Sequence, residues 1–247
     1  MIEFDLVVRR FGRTLAVNGI SLTVPRGQLF ALLGPNGAGK TTTIRMLVGL
    51  LQPNSGQVRV CGVDCSQNPR EASSHLGYVP DEPYLYDKLS GRELLQFTAE
   101  MHGLDRSTAR DRIDRETERF ELAAFLDNLT ETYSHGMRQR LVFATALLHD
   151  PQVLVVDEPM VGLDPRSSRV VKDLLQAEAA AGKTVLMSTH TLAMAEEIAD
   201  RIGILHCGQL AFLGTLAELR QEFSAPQQAL EHLFLELTNG NGRGHSP

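Results

Sequence analysis

Eight residues, GPNGAGKT at positions 34–41, constrain this chain more than any other stretch. They fit the spacing G-x-x-x-x-G-K-[ST] in the setting that spacing requires. QLFALLG, an apolar run of strand character, leads into them, and TTTIRMLVGLL, a helix with one apolar face, leads out. The glycines let backbone N–H groups close around phosphate oxygens. Lys40 brings a cation to the β- and γ-phosphates, and the Thr41 hydroxyl can ligate Mg²⁺. The expected nucleotide cradle is Gly34, Pro35, Asn36, Gly37, Ala38, Gly39, Lys40, Thr41 and Thr42.

The rest of the chain reads as a frame for such a loop. IEFDLVVRRF and LAVNGISLTV are β-branched, extended segments split by the turn Gly12-Arg13, and they predict an antiparallel pair. QPNSG is a turn ahead of the strand QVRVCG. From about residue 89 the texture becomes helical. Ser90 and Glu93 form a capping-box pattern before Leu94, Phe97 and Met101. Ile113, Phe120, Leu122, Phe125, Leu126 and Leu129 continue at helical spacings. A helical insertion is therefore expected over about residues 85–135. Beyond it, helices over 137–148, 165–181 and 191–200 alternate with the strands VLVVD and KTVLMSTH, which implies a parallel sheet covered on both faces. RIGILHCGQLAFLG reads as a closing hairpin, and the Gly/Asn-rich NGNGRGHSP at 239–247 as a disordered tail. The expected fold class is α/β: a parallel sheet core of phosphate-loop NTPase type, an N-terminal antiparallel β subdomain and an inserted helical subdomain, together spanning residues 1–238.

Three further places carry chemistry. Asp157 ends the apolar run VLVV, and ligands of parallel sheets collect at the carboxyl ends of strands, so Asp157 is a candidate Mg²⁺ ligand. Glu158 follows it directly and is the candidate general base for a water. His190 leaves a second strand of the same sheet and is expected to act beside it, at phosphate. YSHGMRQRLVFATALL, residues 133–148, opens a helix on a Ser-His-Gly turn whose free N–H groups make an anion site, with Ser134 and Gly136 in reach.

Composition narrows the partners. A formal net charge of -6 argues against a general nucleic-acid binder. Cys61, Cys65 and Cys207, odd in number and scattered, suit a reducing compartment, and no second ligand pair follows Cys61 and Cys65 to build a metal site. Glu3, Asp5, Arg9 and Arg10 interrupt any secretory signal, and no apolar run approaches the roughly 20 residues that a membrane-spanning helix needs.

GPNGAGKT, YSHGMRQR just ahead of VLVVDEP, GLDP at 162–165 and His190, in this order, resemble the ATP-binding subunit of an ABC transporter, from about residue 2 to residue 238. The resemblance implies an ATPase with ATP and Mg²⁺ as cofactors, and a head-to-tail pairing with a second copy or a homologous subunit. In that arrangement Ser134 and Gly136 contact the γ-phosphate of ATP held by the facing subunit. Phe11 would stack on adenine, Asp164 would lie at the dimer seam, and Arg138, Gln139 and Arg140 would fix the pose of the motif helix. Asp81 stands where the family usually has a glutamine, and it would ligate Mg²⁺ as an anion while linking to the membrane partner. His135 and Met137 replace a motif glycine and glutamine, a variant familiar among subunits paired with export permeases. LEHLFLELT at 230–238 resembles the close of subunits serving ABC-2-type exporters. The implied role is to drive separate membrane permease subunits, for export, from the cytoplasmic face of the membrane, with no nucleic acid involved. A non-transport ATPase of the same superfamily, regulating a membrane or nucleic-acid machine, is the rival. A kinase or GTPase on the same loop would have no use for YSHGMRQR and GLDP.

Overall fold

The computed structural model describes residues 1–222. The segment LEHLFLELT at 230–238 and the tail expected at 239–247 lie outside them. Two sheets organise the chain. The first joins β1 (Ile2–Phe11), β2 (Thr14–Val24), β4 (Ser55–Val60) and β5 (Val63–Asp64) in the order β2-β1-β4-β5, all antiparallel. Alternation along these strands turns Ile2, Phe4, Ile20 and Leu22 inward and leaves charged residues outside.

The second sheet contains β3 (Leu29–Leu33), β6 (Leu76–Val79), β7 (Val153–Asp157), β8 (Thr184–Thr189), β9 (Arg201–His206) and β10 (Gln209–Gly214). Its order is β10-β9-β3-β8-β7-β6. Neighbours are parallel except β9 and β10, because the tight turn through Cys207 and Gly208 reverses the chain there. β3, β7 and β8 are buried at every position, which explains the apolar runs LFALL, VLVV and VLM within them.

The two faces of this sheet belong to different cores. Leu29, Ala31 and Leu33 pack on one side, while Phe30 and Leu32 pack on the other against the antiparallel sheet and α1 (Lys40–Leu47). The first side carries α3 (Gly91–Met101), α4 (Arg106–Arg119), α5 (His135–Leu147), α6 (Pro165–Ala180) and α7 (Leu192–Ile198). α2 (Pro69–Ser74), α8 (Leu216–Glu222) and a single 3-10 turn at Thr130–Thr132 complete the described helices.

The helical insertion is present, with one correction. Ser90 and Glu93 form a reciprocal capping box on α3, as the sequence predicts. The helical spacing from Phe120 to Leu129 does not make a helix. α4 ends at Arg119, where Glu121 turns to φ 51° and the Leu122 amide donates to Thr117 O at 2.9 Å, a left-handed closure. Leu122, Phe125 and Leu126 are nevertheless buried, from turns rather than a helix face. β5, β6 and α2, each six residues or fewer, had no predicted counterpart. Buried charges bind the insertion to the core: Glu178 of α6 accepts from Arg119 of α4 and meets Lys183 at 2.8 Å.

Candidate functional site

Pairing brings three strand ends together. Leu33 of β3 lies opposite Thr189 of β8, and Asp157 of β7 lies opposite Ser188. The residues that leave these ends, Gly34, His190 and Glu158, therefore emerge side by side.

The loop at 34–39 wraps a cavity of about 200 Å³, lined by residues 35–42 with Ala16, Asp81 and Glu158. Its glycines are required by close approach. At Gly39, φ is 107° and a Cβ would stand 2.5 Å from Ala16 O. At Gly34 it would stand 2.6 Å from Leu205 O. Side chains at either position would push the loop off the hairpin and strand that shape it. Lys40, at the start of α1, is buried. Its ammonium donates to Gly34 O at 2.7 Å and Pro35 O at 3.3 Å and meets Glu158 Oε1 at 3.3 Å.

Glu158 is held from several sides. His190 Nδ1 lies 2.9 Å from its Oε2, and the His190 amide donates to the same oxygen at 3.3 Å. His190 thus pairs with Glu158 while its ring stays half exposed, a pairing that a lone His after a strand does not foretell. Glu158 itself has φ 47°, left-handed for a residue with a Cβ. Its amide donates to Ser188 O at 3.2 Å and Ser188 Oγ at 3.1 Å. The Ser188 hydroxyl also donates to Asp157 Oδ1. Sequence reasoning missed Ser188. Its signal was the polar break that ends the apolar strand TVLM.

Asp157 is 1% exposed, whereas Asp81 is exposed at the rim of the same cavity. Burial first, then the carboxylates of Asp157 and Glu158, push the Asp81 carboxyl above its usual value, while His190 pulls it back. Asp157 is buried off the cavity's lining, bonded to the Ser188 hydroxyl, and the donor set on the lining is hard oxygen: Thr41 and Asp81. It suits Mg²⁺, which takes one or two carboxylates together with phosphate oxygens.

The remaining predicted residues lie outside this cavity. Phe11 is 46% exposed at the end of β1, with the Arg9 guanidinium 4.6 Å above its ring. Ser134 is the N-cap of α5 and accepts from the Met137 amide at 3.4 Å, so the helix starts at His135, two residues earlier than predicted. Gly136 lies in its first turn, with nothing within 4 Å of where a Cβ would stand. Asp164 caps α6, accepting from the amides of Arg166 and Ser167.

Residues 17–161 match a protein family described as ABC transporter. The chain is 36% identical over 235 residues to the ABC-type transporter ATP-binding protein EcsA of Bacillus subtilis, covering 95% of each. It is 38% identical over 224 residues to the daunorubicin/doxorubicin resistance ATP-binding protein DrrA of Streptomyces peucetius, covering 91% of this chain and 68% of that protein. A solved structure described as the ATP binding subunit of an ABC transporter superposes with a TM-score of 0.90 at 31% identity, over 96% of this chain and 99% of that one.

Proposed function

The chain belongs to the ABC transporter family as its ATP-binding, ATP-hydrolysing subunit, and from that premise we propose how its residues divide the work. Residues 34–42 hold the triphosphate, with the buried Lys40 ammonium moving from the loop carbonyls to the β- and γ-phosphate oxygens. Thr41, Asp157 and Asp81 hold Mg²⁺, which would neutralise charge on those phosphates. Glu158 orients a water and takes its proton. His190, bonded to Glu158 Oε2, steadies that carboxylate and contacts the γ-phosphate. Phe11 stacks on the base.

One observation carries this reading: Lys40, reached through the loop that leaves β3, meets Glu158 from the end of β7 on one cavity, and His190 from the end of the intervening β8 holds that carboxylate. The cavity is open, and Ser134 with Gly136 does not line it. A second chain, a copy or a homologue, brings its own α5 start to close it, placing the positive end of that helix on the γ-phosphate. Two such chains, head to tail, enclose two ATP molecules.

Work on a membrane needs a permease partner, and the family supplies the coarse form of that association. Its surface here is the cavity of about 320 Å³ next to the Asp81 loop, where Tyr84, Tyr86 and Phe97 stand exposed in edge-to-face contact. Among the described residues no helix is long and apolar enough to cross a membrane. Peripheral attachment at the cytoplasmic face, through an ABC-2-type permease, follows from that reading. The drug-resistance names of relatives such as DrrA support export as the direction.

Glu158→Gln tests the scheme. The amide keeps the shape but is a poor base, so hydrolysis should fall about 10²–10⁴-fold while ATP binding persists. Light scattering with Mg-ATP should then show a monomer-to-dimer shift that the wild type shows weakly. Wild-type turnover by the variant would remove Glu158 as the base. Tight ATP binding without dimer formation, with the permease present, would end the sandwich model.

A further inference from the structure

We propose that Gln139 is a positioning residue for Glu158, fixing the strained backbone of the carboxylate from the side that Ser188 does not reach. The inference rests on the reading of Glu158 as general base. A residue with a Cβ does not rest at φ 47° without restraint, and Glu158 also precedes Pro159, which narrows its backbone choices further. On its amide side, Ser188 supplies two acceptors. On the carbonyl side the Val161 amide donates back to Glu158 O at 3.3 Å. Pro159 has no N–H, so its carbonyl is the first free handle beyond Glu158. The Gln139 side-chain amide donates to that carbonyl at 2.8 Å, in a buried setting.

Gln139 is buried, where an amide persists only if it is paired. Its sequence partner lies 20 residues away. A second contact from the same helix supports the clamp. The His135 ring lies over Gly162, where a Cβ would stand 3.5 Å from Nε2. The first two turns of α5 are thereby fastened at both ends of the short loop that follows Glu158. The helix start proposed to face the partner's ATP and the carboxylate proposed to serve this chain's own ATP are joined through one short loop.

A double-mutant cycle separates positioning from plain stability. Wild type, Gln139→Leu, Glu158→Gln and the double variant are compared in ATPase turnover, ATP-binding titration and thermal melting. Gln139→Leu should lower kcat about tenfold, the middle of the range for coupled neighbours, with ATP affinity near wild type and a melting temperature lowered equally in both backgrounds by the unpaired Pro159 carbonyl. In the Glu158→Gln background it should cost no further turnover, because the group it positions is already disabled. Gln139→Glu, equal in size and without a donor when ionised, should repeat the loss. Wild-type kcat in both Gln139 variants would overturn the assignment. So would an equal loss of turnover in both backgrounds, or failure of both variants to fold, since each marks a structural role. Should Glu158→Gln alone keep wild-type turnover, the general-base reading falls first, and the two failures are told apart by that arm.

Discussion

At the scale of the residue, the site is a competition for charge. Lys40 spends its hydrogen bonds on Gly34 O and Pro35 O and shares Glu158 with His190. In the proposed scheme a triphosphate entering the loop would displace these contacts and release Glu158 toward water. Asp81 adds a third carboxylate to the same space as Asp157 and Glu158, and burial together with those neighbours raises its proton affinity. As pH falls, Asp81 should therefore lose its charge before an ordinary carboxyl does, and its pull on Mg²⁺ should fade with it. The Mg²⁺ concentration for half-maximal ATPase activity should rise as pH falls in the wild type. Asp81→Gln, neutral throughout, should need more Mg²⁺ at neutral pH and lose this part of the pH dependence. Identical Mg²⁺ titrations for the two proteins would place Asp81 away from the metal.

At the scale of the element, α5 is the piece that, in the proposed pairing, would serve another chain's chemistry. Its N-cap, Ser134, holds the helix start open beside Gly136. Ser134→Arg should fill the space that a facing ATP needs while leaving the loop at 34–42 untouched. Hydrolysis should fall at least about 100-fold, the usual loss when a stabilising donor is removed, with nucleotide affinity unchanged by titration. Weakened binding would mean that α5 acts on its own chain's nucleotide. Elements with local signals were legible in the sequence. The phosphate loop, the Ser90–Glu93 cap and the apolar run of β7 each announce themselves within a few residues. β6 did not: LGYV is four residues long, and its strand character comes from pairing with β7. The link from Gln139 to Pro159 and that from Ser188 to Asp157 were also hidden. Each joins segments that only the sheet and its covering helices bring together, so no local pattern encodes them. The end of α4 misled for the converse reason: apolar spacing reports burial, and turns can bury side chains as a helix does.

At the scale of the whole molecule, the insertion and the core meet along a seam of buried charge and stacked rings. Arg119 and Glu178 cross it, and His102 of the segment after α3 stacks on His149 with ring centroids 3.7 Å apart. Burial first, then His102, Arg112 and Lys183, hold the His149 imidazole down at about 4, against the weaker pull of Leu76 O. His102 is lowered by burial too. A depressed folded-state value means that the unfolded chain takes the proton first. The stability is complete above about pH 6.5 and drains away as pH falls toward 4, by up to about 3 kcal/mol. The melting temperature should therefore drop between pH 7 and pH 5, and His149→Phe, which keeps a ring in the stack, should flatten that slope. Equal slopes would clear His149 of the effect. The sheet order has a different consequence. β8 separates β3 from β7, so the phosphate loop and the paired carboxylates stand two strand spacings apart, about 10 Å. That span is the pitch of backbone hydrogen bonding, and no substitution alters it. The site is a caliper with fixed jaws. Mutation can lengthen, shorten or discharge what projects from Asp157, Glu158 and Lys40, but the opening between them was decided when three strands lay down side by side.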